Sequence, residues 1–294
     1  MTRTQSVAAP KSDSSGWWWA ALGVVCFSLT LPATRLAVPQ FGSYTVGFGR
    51  AVIAGALALA LLLIRRERLP AREHWLGLGL VALGVVFGFP VFTSLALRSV
   101  PAAHGAVVVG LLPAATAVAA VLLAREQPRP AFWVVCALGV AAVLIFAAVT
   151  GAGQFQIGDV YMLLAVGFAA VGYAEGGRLA RVMDGWRVIS WALVLALPVA
   201  ILAVLLAPWP AQWPSWTAWI AFGYVAVVSM FLGFFAWYRG LALGGVARAG
   251  QTQLVQPVLT VVWSALLLGE RLDARTVLAA LFVVACAGLS RLTR

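Results

Sequence analysis

Ten long apolar runs, separated by short charged or proline-rich breaks, fill the sequence at residues 17–35, 44–64, 75–97, 102–124, 131–149, 159–177, 188–206, 216–238, 246–268 and 276–292. A helix needs ~20 apolar residues to cross the hydrocarbon of a bilayer. Ten of them consume about 200 residues and leave under about ten for each tail or connection, so no separate soluble domain fits. Composition agrees, with 63% hydrophobic and 10% charged residues against about 25% charged in soluble domains. The sequence predicts an all-α polytopic membrane protein whose medium is the lipid bilayer. Residues 1–16 read as a polar N-terminal tail. No cleavable signal is expected, because the run from Trp17 lacks an A-x-A exit and is followed by nine more.

The formal charge of +11 would suggest nucleic acid in a soluble chain, but here the arginines punctuate apolar runs and no nucleic-acid partner is expected. With the N-terminus inside, 15 of the 20 basic residues fall on the inner side and only Arg35, Arg98, Arg271 and Arg275 outside, Arg50 being left within a run. That asymmetry predicts cytoplasmic N- and C-termini. Tryptophans collect at run ends (Trp17, Trp75, Trp133, Trp209, Trp213), as at a membrane interface. Cys26, Cys136 and Cys286 each lie in an apolar run without ligand spacing and read as packing residues, so no metal site or cofactor is expected.

The chain repeats itself. Residues 103–126 align with 247–270 at a constant offset of 144, which lays Pro113 on Pro257 and Thr116 on Thr260. Upstream, Phe92-Thr-Ser-Leu-Ala-Leu matches Tyr238-Arg-Gly-Leu-Ala-Leu, and Arg35-Leu-Ala recurs as Arg178-Leu-Ala. The copies span 17–150 and 151–294, each with five runs. Five is odd, so the second copy must enter the membrane upside down. Inverted repeats are how many secondary transporters obtain two near-equivalent states open to opposite sides.

The paired blocks Leu95-Ala-Leu, Leu112-Pro113, Arg125-Glu126 and Leu241-Ala-Leu, Gln256-Pro257, Leu-Leu-Leu-Gly-Glu270 resemble the two EamA repeats of the drug/metabolite transporter superfamily. The first block departs from the pattern, with Ala124-Arg125 where a glycine usually precedes the glutamate; a special role for Gly269 is not expected on that account. The resemblance implies ten helices in two inverted five-helix halves and export of small metabolites, most like the bacterial inner-membrane exporters of aromatic and other amino acids. It extends from about Trp17 to Leu292.

Candidate site residues follow from the cost of polar and helix-breaking groups in lipid. Pro90, Pro113, Pro198 and Pro257 each free the carbonyl four residues earlier. The repeat-related pair Pro113 and Pro257, with Pro90, points to a cavity or hinge, the alternative being a packed static kink. In the ninth run Arg248, Thr252, Gln256 and Thr260 recur every four residues beside Gln253, a stripe suited to an ammonium or carboxylate, or else to interhelical bonding. His104 and Arg248 are repeat equivalents near span starts, where a cation could receive a substrate carboxylate, the alternatives being snorkelling of Arg248 to the headgroups and a packed or hydrogen-bonded His104. Phe89, Tyr173, Trp237 and Tyr238, with Phe27 and Phe231, lie on runs that the family resemblance places around a cavity, where rings could stack on a side chain, lipid contact or packing being the alternative. Arg50 reads as a structural charge with substrate contact as the alternative, and Glu175 as the ion-pair partner of Arg178. Asp159 sits at a run edge and no other carboxylate lies well inside one, so facilitated export or exchange is favoured over obligatory proton coupling.

A channel would need a filter-like segment or charge rings, and an intramembrane enzyme a nucleophile–base pair or metal motif. Neither is present among only two histidines and no H-E-x-x-H or G-x-S-x-G. A multidrug pump for hydrophobic cations would be expected to carry a buried carboxylate. The sequence therefore predicts a non-ATP, alternating-access exporter of amino acids or similar metabolites, working as a monomer.

Overall fold

The computed structural model describes residues 15–124, 156–244 and 249–270, with scattered positions between 133 and 141 and between 274 and 285. The fifth and tenth apolar runs fall mostly outside the described residues, and Arg248 wholly so. Among the described residues the chain is helical without strands. Seven helices are long and apolar enough to cross a membrane: α1 (Ser15–Phe41), α2 (Ser43–Ile64), α3 (Arg72–Ala96), α4 (Ala102–Leu123), α5 (Ile157–Leu179), α6 (Gly185–Leu206) and α7 (Trp216–Gly244). A shorter apolar helix, α8, covers Thr252–Leu268.

Two helices outrun their apolar runs, and in each case an arginine that ended the run has found a protein partner. α1 continues beyond Arg35, whose guanidinium donates to the Leu97 carbonyl. α7 continues beyond Tyr238 because Arg239 lies 4.6 Å over the Trp19 ring, a cation–π contact. Large apolar side chains such as Leu63, Ile64, Leu83, Leu122, Leu205 and Ile220 are exposed on the outside of the bundle, as lipid contact demands.

Counterpart helices of the two repeats run in opposite directions. Arg187 at the start of α6 bonds Glu67 just past the end of α2 at 3.0 Å. The backbone N–H groups of Ala102 and Ala103, opening α4, both donate to the Glu270 carboxylate beyond the end of α8, at 2.9 Å each. Trp19 at the start of α1 lines one mouth together with Ala180 past the end of α5. Leu97 and Arg98 past the end of α3 line the opposite mouth with Pro208, which precedes α7.

The irregularities are duplicated as well. α3 and α7 each contain a π-helical stretch, Ala82–Gly88 and Tyr224–Leu232, whose last residues lie 144 positions apart, the same offset as Pro113 and Pro257. α4 is broken at Gly110-Leu111, and α8 is preceded and opened by the 3-10 turns of Gly250–Val255. Both repeat-related prolines therefore sit in the first turn of a helical half rather than deep inside a continuous helix. A missing N–H is tolerated there, because first-turn donors have no intrahelical acceptor.

Small residues set the closest helix approaches. A Cβ on Gly84 of α3 would lie 2.5 Å from the Phe168 carbonyl and 2.8 Å from Gly172 of α5, so these two backbones touch directly. Gly16 and Ala20 of α1 face Gly244 and Gly240 of α7 in the same manner. Gly269, for which no special role was expected, ends α8 in the left-handed region at φ 64°. That turn carries Glu270 to the α4 N-terminus.

Candidate functional site

At the centre of the bundle six helices line a narrow cavity, through Phe27 and Thr30 (α1), Arg50 (α2), Val85 and Phe89 (α3), Tyr173 (α5), Ser229 and Phe234 (α7) and Gln256 (α8). The space is thin, with room for about one water. Both π stretches open onto it, through Val85 and Ser229. A π turn widens the helix by one residue and recurs at functional sites.

Arg50 is the charged residue of this cavity, and it is 2% exposed. Its Nη2 donates to Ser229 Oγ at 3.1 Å, and Ser229 Oγ in turn shares a hydrogen with Thr30 Oγ1 at 2.8 Å. Its Nε and Nη1 have no hydrogen-bond partner among the described residues, and no acid lines the cavity. Each buried donor left without an acceptor costs about 1–3 kcal/mol, more for a charged group.

Five rings stack against one end of the cavity. Phe27 lies 4.9 Å from Phe234 and 6.2 Å from Tyr173; Tyr173 lies 5.3 Å from Trp237; Phe234 lies 5.2 Å from Tyr238. Phe234 lines the cavity, whereas its neighbour Phe235 and Arg239 line a wider vestibule of about 2110 Å³ that also carries Arg65, Arg181 and Asp184. The rings thus separate cavity from vestibule. Tyr238 is pinned by its hydroxyl, which donates to the Gly172 carbonyl at 3.0 Å, and is seated on Gly176, where a Cβ would fall 2.2 Å from the ring. At the opposite face a second vestibule of about 960 Å³ is lined by Arg35, Arg98, Tyr44 and Ser43 among others.

The remaining expected residues are placed as follows. Phe89, Tyr173 and Gln256 reach the cavity, with Trp237 and Tyr238 in the ring cluster behind it. Gln253 is buried and donates weakly to Gln256 Oε1 at 3.4 Å. Thr252 returns its hydroxyl to the Ala249 carbonyl at 2.7 Å, closing its own turn. Thr260, one turn beyond Gln256, donates to the Ser28 carbonyl of α1 at 2.7 Å. The Pro90 carbonyl accepts from Thr93 and Ser94. Phe231 packs on Phe235 at 4.6 Å, away from the ring cluster. His104 is not part of the cavity lining: its Nε2 lies 2.6 Å from Asp159 Oδ1. Glu175 and Arg178 form an ion pair through contacts of 2.6 and 2.9 Å.

One residue corrects the sequence reading. Asp159, at the edge of its run, is nonetheless buried at 1% exposure, and Glu175 is buried at 5%. The starts of α4 and α5 pack together and cover Asp159, which also accepts from the Gln156 N–H at 3.0 Å. The sequence reading also missed Thr30, Ser229 and Phe234. For Phe234 a signal existed, since positions 234, 237, 238 and 241 share one helix face. Thr30 and Ser229 are small hydroxyls, common in membrane helices, and nothing local distinguishes them.

This architecture, a bundle of apolar helices with a polar-and-aromatic pocket between oppositely directed repeats, is that of a membrane transporter. The chain belongs to the EamA-like transporter family, which matches residues 14–148 and 156–291. It is 44% identical over 284 residues to the uncharacterised transporter YdeK of Bacillus subtilis, covering 95% of this chain and 97% of that one. It is 26% identical over 234 residues to the aromatic amino acid exporter YddG of Ancylobacter novellus, covering 76% and 78% of the two chains. A solved crystal structure shares the fold, with TM-score 0.66 at 23% identity over 96% of this chain and 98% of that one.

Proposed function

We propose that this protein exports amino acids or similar small metabolites across the bacterial inner membrane by alternating access. In this reading ten helices form two inverted five-helix repeats, with both termini in the cytoplasm and a single chain as the working unit. Substrate binds in the central cavity. Gln256, with Gln253 behind it, holds its polar head, and Phe89, Tyr173, Trp237 and Tyr238 flank its side chain. His104 and Arg248 serve the approach from the two ends, and Pro90, Pro113 and Pro257 mark where helices flex. What carries the reading is a narrow, ring-lined pocket between counterpart helices of opposite direction, with a vestibule at each face. The distant relative whose name gives aromatic amino acids as its cargo supports the choice of substrate class.

The test is purified protein in sealed vesicles, assayed with a panel of labelled amino acids with and without a pH gradient. Saturable flux of at least one amino acid, persisting without the gradient, is expected. Flux of none removes the substrate class. Strict dependence on the gradient overturns uncoupled export and directs attention to the buried His104–Asp159 pair.

A further inference from the structure

An arginine held at the centre of a membrane bundle without a counter-charge demands an explanation. Intramembrane cations are expensive and pair with acids, carbonyls or water wherever they serve structure alone. Arg50 pairs with none of the acids among the described residues: Glu175 is engaged by Arg178, Asp159 by His104, Glu67 by Arg187 and Glu270 by the α4 N-terminus. One hydroxyl, Ser229, meets Nη2, while the N–H groups on Nε and Nη1 remain unmet and the side chain lines the cavity. A guanidinium offers five donors in a planar fork matched to a carboxylate.

The approaches carry the same sign. The inner vestibule presents Arg65, Arg181 and Arg239 against the one acid Asp184. The other vestibule presents Arg35 and Arg98 with no acid in its lining. The topological bias of arginine toward the cytoplasm accounts for the first and not for the second. Cationic mouths at both ends raise the local concentration of anions. Around the guanidinium stand Phe27, Phe89, Tyr173 and Phe234, a shell for an apolar or aromatic body. Among the described residues no acid lines the cavity to receive an ammonium.

We propose that Arg50 is the carboxylate receptor of the central cavity, so that a substrate is recognised by one carboxylate on an apolar or aromatic body and its amino group is dispensable. The inference rests on the cavity being the transport site, and it names the chemistry that site selects.

The experiment measures thermal stabilisation of the purified protein at constant ionic strength. The probes are L-phenylalanine, 3-phenylpropionate, L-phenylalaninamide, phenethylamine and chloride, and flux of the labelled compounds is measured in vesicles alongside. In the unaltered protein phenylalanine and phenylpropionate are expected to bind within about tenfold of each other, and the two compounds lacking a carboxylate about 100-fold more weakly. In Arg50→Gln the preference for the carboxylates disappears; in Arg50→Lys part of it survives, a point charge replacing the fork. Equal binding of phenylalanine and its amide by the unaltered protein overturns the proposal whether or not Arg50→Gln folds. So does an effect of chloride as large as that of the carboxylates, or no stabilisation by any carboxylate. Carboxylate binding lost in Arg50→Gln, with no amino-acid flux in vesicles, keeps Arg50 as receptor and removes the export reading. Amino-acid flux without carboxylate discrimination does the reverse.

Discussion

Pro32 deprives the Ser28 carbonyl of its helical donor, and the bundle supplies another from Thr260, 232 residues away, at 2.7 Å. The Trp263 indole N–H completes the patch by donating to Ser28 Oγ at 3.1 Å. In lipid no water would replace either bond. Thr260→Val is therefore expected to destabilise the protein by about 1–3 kcal/mol, the cost of one buried acceptor left unmet. Thr260→Ser, which keeps the hydroxyl, should unfold close to the unaltered protein. Thermal unfolding of the three forms in one detergent checks this, and equal midpoints for Val and Ser would show that the carbonyl has another partner. Gln256 and Thr260 were legible as a polar stripe, but their separate destinations were not. A four-residue step overshoots one turn by about 40°, enough to put Gln256 on the cavity and Thr260 on α1. Arg50 was legible as a misplaced charge and no further, because the hydroxyl it touches lies 179 residues away on α7.

The elements themselves were largely readable, since apolar length fixes the spans and only arginines with protein partners blurred their ends. What left no mark in composition is the π stretch in α3 and its counterpart in α7. A π turn amounts to about one extra residue in an otherwise α-helical path, so the helix on either side keeps its register and the pattern of apolar residues stays smooth. Removing one residue there should let the helix close as α without disturbing what flanks it. Deletion of Leu83, half-exposed on the lipid side of the α3 stretch, is thus expected to give a folded, monodisperse protein whose flux falls at least about tenfold, because Val85, inside the stretch, no longer reaches the cavity. Deleting a residue from the middle of unbroken α6 rotates everything beyond it by about 100° and should abolish folding. Full flux after deletion of Leu83 would show that the widened turn is incidental.

At the scale of the molecule, each end is tied by contacts between the two repeats, and these ties differ. At the end where α2 finishes, Glu67 and Arg187 form one ion pair at 3.0 Å, a partly exposed contact worth little by itself. At the other end Glu270 accepts from two N–H groups of the α4 N-terminus, a charge-assisted pair reinforced by the helix dipole, with His104 and Asp159 joined close by. A bundle built of two inverted copies needs only a small difference in such ties to favour closure at one face over the other. Glu270→Gln keeps the shape of the side chain but offers one acceptor and one clashing donor, removing ~1.4 kcal/mol or about a tenfold population difference between closed and open at that face. Thr34, fully buried next to the vestibule that carries Arg35, reports the opening. With Cys26, Cys136 and Cys286 replaced by alanine, a cysteine introduced by Thr34→Cys should react with a membrane-impermeant thiol reagent about ten times faster in Glu270→Gln than in its parent. A cysteine placed on the Phe235 side should react more slowly by the same step, as the proposed alternating access requires. Faster labelling at both faces would mean that Glu270 holds the helices together without setting which way the pocket faces.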